Sequence, residues 1–171
     1  MEDSDVVKLL QHYRHDLMNH LQIVNGYMNL KRPEKAEEKI KETMEYYHEE
    51  RKLMHVMPPQ FILWVMQVNI MFDHIKLEYQ ILTEKKLHHV EHDLSARCEK
   101  VISAVNKTIG TDSLHDISLQ IKDAENEPCC EVSFLIKGES SQEAVLSNYL
   151  NDDSVDVRQT QSGLECSFLI Q

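Results

Sequence analysis

Leu10, Leu17, Leu21, Val24 and Met28 recur in alternating steps of four and three residues once Arg14 is counted as a seam position. That is the stripe of a helix built to lie along other helices. The whole chain holds only four glycines and four prolines, so long helices run with few interruptions. The spacing predicts a first helix from Ser4, as N-cap, to Leu30, with Asp5 favourable in its first turn. After Lys31 and Arg32, Pro33 suits the first position of a second helix, with Glu34, Glu37 and Glu38 near its positive end. The second stripe is Ala36, Ile40, Met44, Tyr47 and Met54, interrupted by Arg51. So short a connection folds the two helices into a hairpin. One hairpin cannot close a bundle core; two copies can, which predicts a homodimeric four-helix bundle. Packing of the hairpin on the rest of its own chain is the competing expectation.

Pro58-Pro59 marks a boundary, giving residues 1–57 as a helical hairpin for dimerisation and 58–171 as a second domain. In that second part Gln60 to Ile75 reads as a helix and Leu77 to Thr83 as a strand. Asp93 to Ile109 reads as a helix capped by Asp93. His115 to Ile121 and Cys130 to Lys137 alternate with the period of strands. Ser141 to Leu150 reads as a helix capped by Ser141. Val155 to Thr160 and Leu164 to Ile170 pair as a hairpin around Gln161-Ser162-Gly163. The expected class is therefore α+β: a helical hairpin followed by an α/β sandwich.

The formal net charge of -11 argues against nucleic acid, whose phosphates are bound by clustered Lys and Arg. The acidity is uneven, nine basic against eleven acidic side chains up to Val56 and nine against eighteen beyond it. The N-terminal part thus repels an acidic partner less. Cys98, Cys129, Cys130 and Cys166 form no CxxC pair, and adjacent strand residues such as Cys129 and Cys130 face opposite ways. They read as reduced, partly buried thiols of a cytoplasmic protein. Met1 to Asp5 is acidic and unlike a signal peptide. Phe61 to Phe72 is too short, and with Gln67 and Asn69 too polar, to span a membrane.

Relative to the seam, His15 lies about 200° round the helix from Leu17, among Gln11, His12, Met18 and Asn19. It therefore faces solvent. Most exposed histidines are merely solvated, but Arg14-His15-Asp16-x-x-Asn19 groups a cation, a nucleophile, an acid and an amide within little more than one turn. Neutral imidazole is a nucleophile towards phosphorus.

The segment Arg14-His15-Asp16-Leu17-Met18-Asn19-His20-Leu21-Gln22-Ile23-Val24-Asn25-Gly26 resembles the phospho-acceptor segment of the sporulation initiation phosphotransferase B family. It is also similar to that of sensor histidine kinases of the citrate and fumarate type. The resemblance is specific in the first thirty residues and diffuse after Pro59. It implies that His15 accepts a phosphoryl group from the aspartyl phosphate of one response regulator and donates it to the aspartate of a second. It also implies that the C-terminal domain resembles a histidine-kinase ATPase domain that has lost ATP binding.

The glycines support that loss on separate grounds. Nucleotide loops need clustered glycines for close approach to phosphates. Here Gly26, Gly110, Gly138 and Gly163 stand apart, and Asn106 is a poor match to a metal-binding asparagine. No autokinase activity and no cofactor or metal bound by this chain are expected; Mg²⁺ is expected in the acidic pocket of the partner regulator. Arg14 is expected to offset phosphoryl charge, Asn19 to hydrogen-bond the phosphoryl group or the partner, and Asp16 to orient the imidazole. Gln11, His12, Met18 and Gln22 form the expected docking surface for regulators.

Other readings compete. His88-His89-Val90-Glu91-His92 contains a zinc-peptidase pattern, H-x-x-E-H, but lies in an expected loop ahead of the Asp93 cap. Met54, Met57, Met66 and Met71 read as core filler rather than a binding surface, and Phe61 and Trp64 as core anchors. A non-catalytic dimeric scaffold that binds response regulators, and a fragment of an ATP-dependent sensor histidine kinase, are the alternative functions.

Overall fold

The computed structural model describes residues 3–110, 113–125, 129–138, 143–150 and 155–170. The class is α+β, and the chain divides into two compact units, Met1–Arg51 and Lys52–Gln171.

The first unit is built on α1 (Asp3–Asn29) and on α2 (Pro33–Val56) as far as Arg51; the last turn of α2 belongs to the second unit. Helix α1 is already helical at Asp3, so Ser4 lies inside its first turn rather than capping it. Acidic residues are favourable throughout a first turn, so the helix extends past the serine. At its other end Lys31 N donates to Met28 O and Arg32 N to Tyr27 O, at 3.0 and 2.9 Å, with Lys31 at φ 54°. These are the paired bonds of a Schellman cap, with lysine in the left-handed position usually given to glycine. Pro33 follows as the first residue of α2, and the buried Ala36 allows close helix approach at the turn.

Within the hairpin the helices meet along Tyr13 and His20 on one side and Thr43, Tyr46, Tyr47 and Glu50 on the other. The Tyr13 and Tyr47 rings meet edge-on with centroids 6.1 Å apart, and His20 lies 6.0 Å from Tyr46. Thr43 Oγ1 is 3.4 Å from His20 Nδ1. Tyr13 donates to Oε1 of the buried Glu50 at 2.6 Å. This contact line is offset by roughly 80° from the apolar stripe read in the sequence. The stripe residues Leu10, Leu21, Met28, Ile40 and Met44 are left exposed on the hairpin.

The second unit packs α3 (Pro59–Met71), α4 (Glu91–Thr108) and α5 (Glu143–Leu150) with a five-stranded mixed sheet. The strands are β1 (Ile75–Ile81), β2 (His115–Asp123), β3 (Cys130–Lys137), β4 (Asp156–Thr160) and β5 (Gly163–Ile170), in the order β1-β2-β3-β5-β4. β1 and β2 run parallel, Ile75 opposite His115, joined through α4; the remaining pairs are antiparallel. Period-two alternation puts Ile117, Leu119 and Ile121 of β2 on one face with Val132, Phe134 and Ile136 of β3 and Leu164, Cys166, Phe168 and Ile170 of β5. Phe61, Val65 and Val68 of α3, and Leu94, Cys98, Val101, Ile102 and Val105 of α4, complete this core. Leu53, Val56 and Met57, at and just beyond the end of α2, belong to it as well. Phe61 stacks on the half-buried Trp64, which meets Phe134 edge-on.

Helix α3 ends at Met71 rather than Ile75, because Ile75 is taken into the ladder beside His115. Asn69 reaches β1 from α3: its Oδ1 accepts from Leu77 N at 2.7 Å and its Nδ2 donates to Leu77 O at 3.1 Å. One carboxamide thus occupies both main-chain groups of Leu77 on the outer edge of the sheet. Helix α4 begins at Glu91, so Asp93 lies inside it, 3.4 Å from Arg97 Nη1, instead of capping it. The preceding His88–Val90 is a 3₁₀ turn, not a loop. The side chains of His89, Glu91 and His92 lie outside the described residues, as does Ser141. Met57 is fully buried and Met66 partly so, but Met54 and Met71 are exposed and fill no core. All four cysteines are buried free thiols. Burial pushes the Cys98 and Cys130 thiols up and Cys166 up to about 12.

Candidate phosphoryl-acceptor site

Residues Gln11 to Gln22 lie in the middle of α1, held by the hairpin contacts of Tyr13 and His20 on the opposite side. Burial, and then the hydrogen bond to Glu50, raises the Tyr13 phenol above its ordinary range, so it stays a neutral donor. Burial likewise raises Tyr46 and Tyr47. The three phenols of the inner line therefore stay neutral, and their contacts fix which way the outer residues point.

His15 is 69% exposed at its side chain. Its Nδ1 lies 3.4 Å from Asp16 Oδ1 and 3.3 Å from Asn19 Nδ2. A carboxylate only accepts, so the Asp16 contact needs a proton on Nδ1. Asn19 serves that same proton only with its carboxamide turned so that Oδ1, rather than Nδ2, faces the ring. In that tautomer Nε2 carries the lone pair and stands clear of both partners. Adjacent helix positions diverge by about 100°, yet the His15 and Asp16 side chains converge.

His12, one turn earlier, places Nε2 at 3.5 Å from Asp16 Oδ2. His12, expected on the docking surface, thus also meets Asp16, a contact signalled in the sequence only by the i,i+4 spacing. Gln11, Met18 and Gln22 are exposed around His15. Arg14 is also exposed, but its position about 100° round the helix sets it beside the apolar stripe. The site thus gathers His12, His15, Asp16 and Asn19, with Arg14 to one side.

In the second unit, His74 Nε2 is bonded to Asn106 Oδ1 at 2.6 Å, tying α4 to the turn before β1. The four glycines fall at separate places: within α1, after α4, after β3 and at the start of β5. A cleft of about 500 Å³ includes Arg97, Arg158, Glu131 and Phe168 in its lining. Both guanidinium groups are engaged there, Arg97 with Leu169 O at 2.9 Å and over the Phe168 ring at 4.1 Å, Arg158 with Asp156 at 3.0 Å. Among the described residues, no group of three or more His, Cys, Asp or Glu is placed to hold a metal. No helix among them is long and apolar enough to cross a membrane.

The chain is 31% identical to sporulation initiation phosphotransferase B of Bacillus subtilis (strain 168) over 104 residues, 61% of this chain. It spans about half the length of that relative, 51%. Among solved structures, the Erythrobacter litoralis EL346 blue-light activated histidine kinase aligns over 98% of this chain and 59% of its own, with a TM-score of 0.50 and 13% identity. That likeness is one of fold. Residues 1–56, which carry every residue of the candidate site, match the sensor kinase SpoOB-type, alpha-helical domain.

Proposed function

We propose that this chain is a phosphorelay phosphotransferase of sporulation initiation. His15 takes a phosphoryl group from the aspartyl phosphate of one response regulator and hands it to the aspartate of a second. The observation that carries this reading is the His15 imidazole itself, exposed, with Nδ1 engaged by Asp16 and Asn19 and Nε2 directed away from them. Similarity to a named phosphotransferase supports it.

The Nε2 lone pair attacks phosphorus in line with the bond to the donor carboxylate. The N–P bond forms as the O–P bond breaks, and the carboxylate leaves with the electron pair. Nδ1 keeps its proton, and the Asp16 carboxylate offsets the positive charge of the phosphorylated ring. Transfer to the second regulator reverses these steps on a new carboxylate. Mg²⁺, held in the regulator's acidic pocket, supplies phosphoryl charge neutralisation; this chain contributes no ligand to it. Arg14 adds positive charge beside the site, and Gln11, His12, Met18 and Gln22 meet the regulator. That surface is neutral or amphipathic, as suits a transient partner.

The protein acts as a homodimer. Leu10, Leu21 and Met28 of α1 and Ile40 and Met44 of α2 lie exposed along one face of the hairpin. A second copy covers that face and completes four helices. The domain of residues 58–171 keeps a kinase-like fold without binding ATP, its glycines being too far apart to form phosphate loops. Incubation with a labelled, phosphorylated regulator tests the proposal: wild type becomes labelled on histidine and His15→Gln does not. A scaffold would bind the regulator and stay unlabelled. Labelling by ATP alone would instead indicate a kinase.

A further inference from the structure

We infer that His12 is a positioning residue for His15, acting through the Asp16 carboxylate. The inference rests on the reading of His15 as the nucleophile. The two oxygens of Asp16 face two different imidazoles: Oδ1 lies 3.4 Å from His15 Nδ1 and Oδ2 lies 3.5 Å from His12 Nε2. A carboxylate has acceptor capacity only, so both imidazoles present N–H to it. Asp16 sits one residue after His15, and its side chain is 46% exposed. Left alone, water competes for both oxygens, and the carboxylate spends part of its time turned from the ring. The contact from His12 Nε2, one helical turn earlier, holds the second oxygen and so turns the first towards His15 Nδ1. Asn19, one turn later, places Nδ2 3.3 Å from the same nitrogen and joins this arrangement once its carboxamide is turned to present Oδ1. Asp16, held by His12, thereby selects the ring tautomer with Nδ1–H. That tautomer keeps the lone pair on Nε2, the nitrogen that points outwards.

This assigns His12 a duty distinct from docking, and the two are separable by experiment. Phosphoramidate is a small phosphoryl donor with no protein surface: His15 Nε2 bonds to phosphorus as the P–N bond breaks and ammonia leaves. With phosphoramidate, His12→Leu is expected to slow phosphorylation of His15 on the order of tenfold, as misorientation of a reacting group does. His12→Gln keeps a donor at the same reach and is expected to restore most of the rate. Nitrogen NMR of the His15 ring in the full chain reads the tautomer directly. Wild type and His12→Gln are expected to show predominantly Nδ1–H, and His12→Leu a mixture with Nε2–H. A His12→Leu variant with the wild-type tautomer and the wild-type phosphoramidate rate overturns the inference. If wild type shows the fixed tautomer but forms no phosphohistidine, the reading of His15 as nucleophile fails while the positioning contact stands.

Discussion

Replacing Leu21 with aspartate separates the two protomers of the proposed dimer. Leu21 is 53% exposed on the isolated hairpin, and its neighbours on the stripe range from 44% for Ile40 to 67% for Met44. Fully burying a leucine contributes about 1.5–3 kcal/mol, so covering its exposed half contributes about 1 kcal/mol. A two-fold interface uses each residue twice, which doubles that loss to about 2 kcal/mol. The aspartates must then either be desolvated without a partner or force the stripe apart, at several kcal/mol per charge. The sum is at least about 5 kcal/mol, or more than a thousandfold in the dissociation constant. Leu21→Met keeps volume and hydrophobicity and is expected to stay within about tenfold of wild type. Sedimentation equilibrium measures both, with circular dichroism to confirm that the helices persist. A Leu21→Asp variant that dimerises within tenfold of wild type would refute the assignment of this stripe to the interface.

Two backbone positions give opposite signs. Lys31 stands at φ 54°, so Lys31→Gly is expected to raise the stability of the hairpin by about 1 kcal/mol, read as an upward shift of the thermal midpoint. Gly163 stands at φ 145°, and a Cβ there would meet Ile136 O at 2.0 Å. Gly163→Ala is therefore expected to cost about 3 kcal/mol or more, read in denaturant unfolding of the second unit. Burial holds Cys166 at about 12 when folded, whereas an unfolded thiol ionises at about 8.5. The folded state keeps a proton that the unfolded state releases, so this contribution is complete below about pH 8.5 and lost as pH rises towards 12. Cys166→Ala is expected to flatten the fall in stability over that alkaline range.

The hairpin was legible because helix 1 carries a long 3–4 repeat and Pro33 sits where only a helix start suits it. What periodicity left open was which neighbour the stripe faces. Tyr13, His20, Tyr47 and Glu50 form the contact within one hairpin, and as polar or aromatic residues they do not stand out in an apolar pattern. The strand order was not legible either: nothing in Ile75 to Ile81 announces a parallel partner forty residues on. The apolar run to Ile75 fits helix and strand alike, and only pairing with β2 decides it. Caps at Ser4 and Asp93 were misplaced because acidic first turns tolerate earlier starts, and boundaries follow tertiary contacts more than single residues. At the site, local spacing marked His15 and Asn19. The shared use of Asp16 by two histidines needed side-chain positions, since sequence separation alone gives only the helical angle.

The central claim is that phosphoryl groups pass through His15. Its most direct measurement is transfer between two purified response regulators, one supplied as its labelled aspartyl phosphate, with catalytic amounts of this chain. Wild type is expected to carry label to the second regulator through an acid-labile, base-stable phosphohistidine, and His15→Gln to carry none in either direction. Label that reaches the second regulator through the His15→Gln variant would contradict the account.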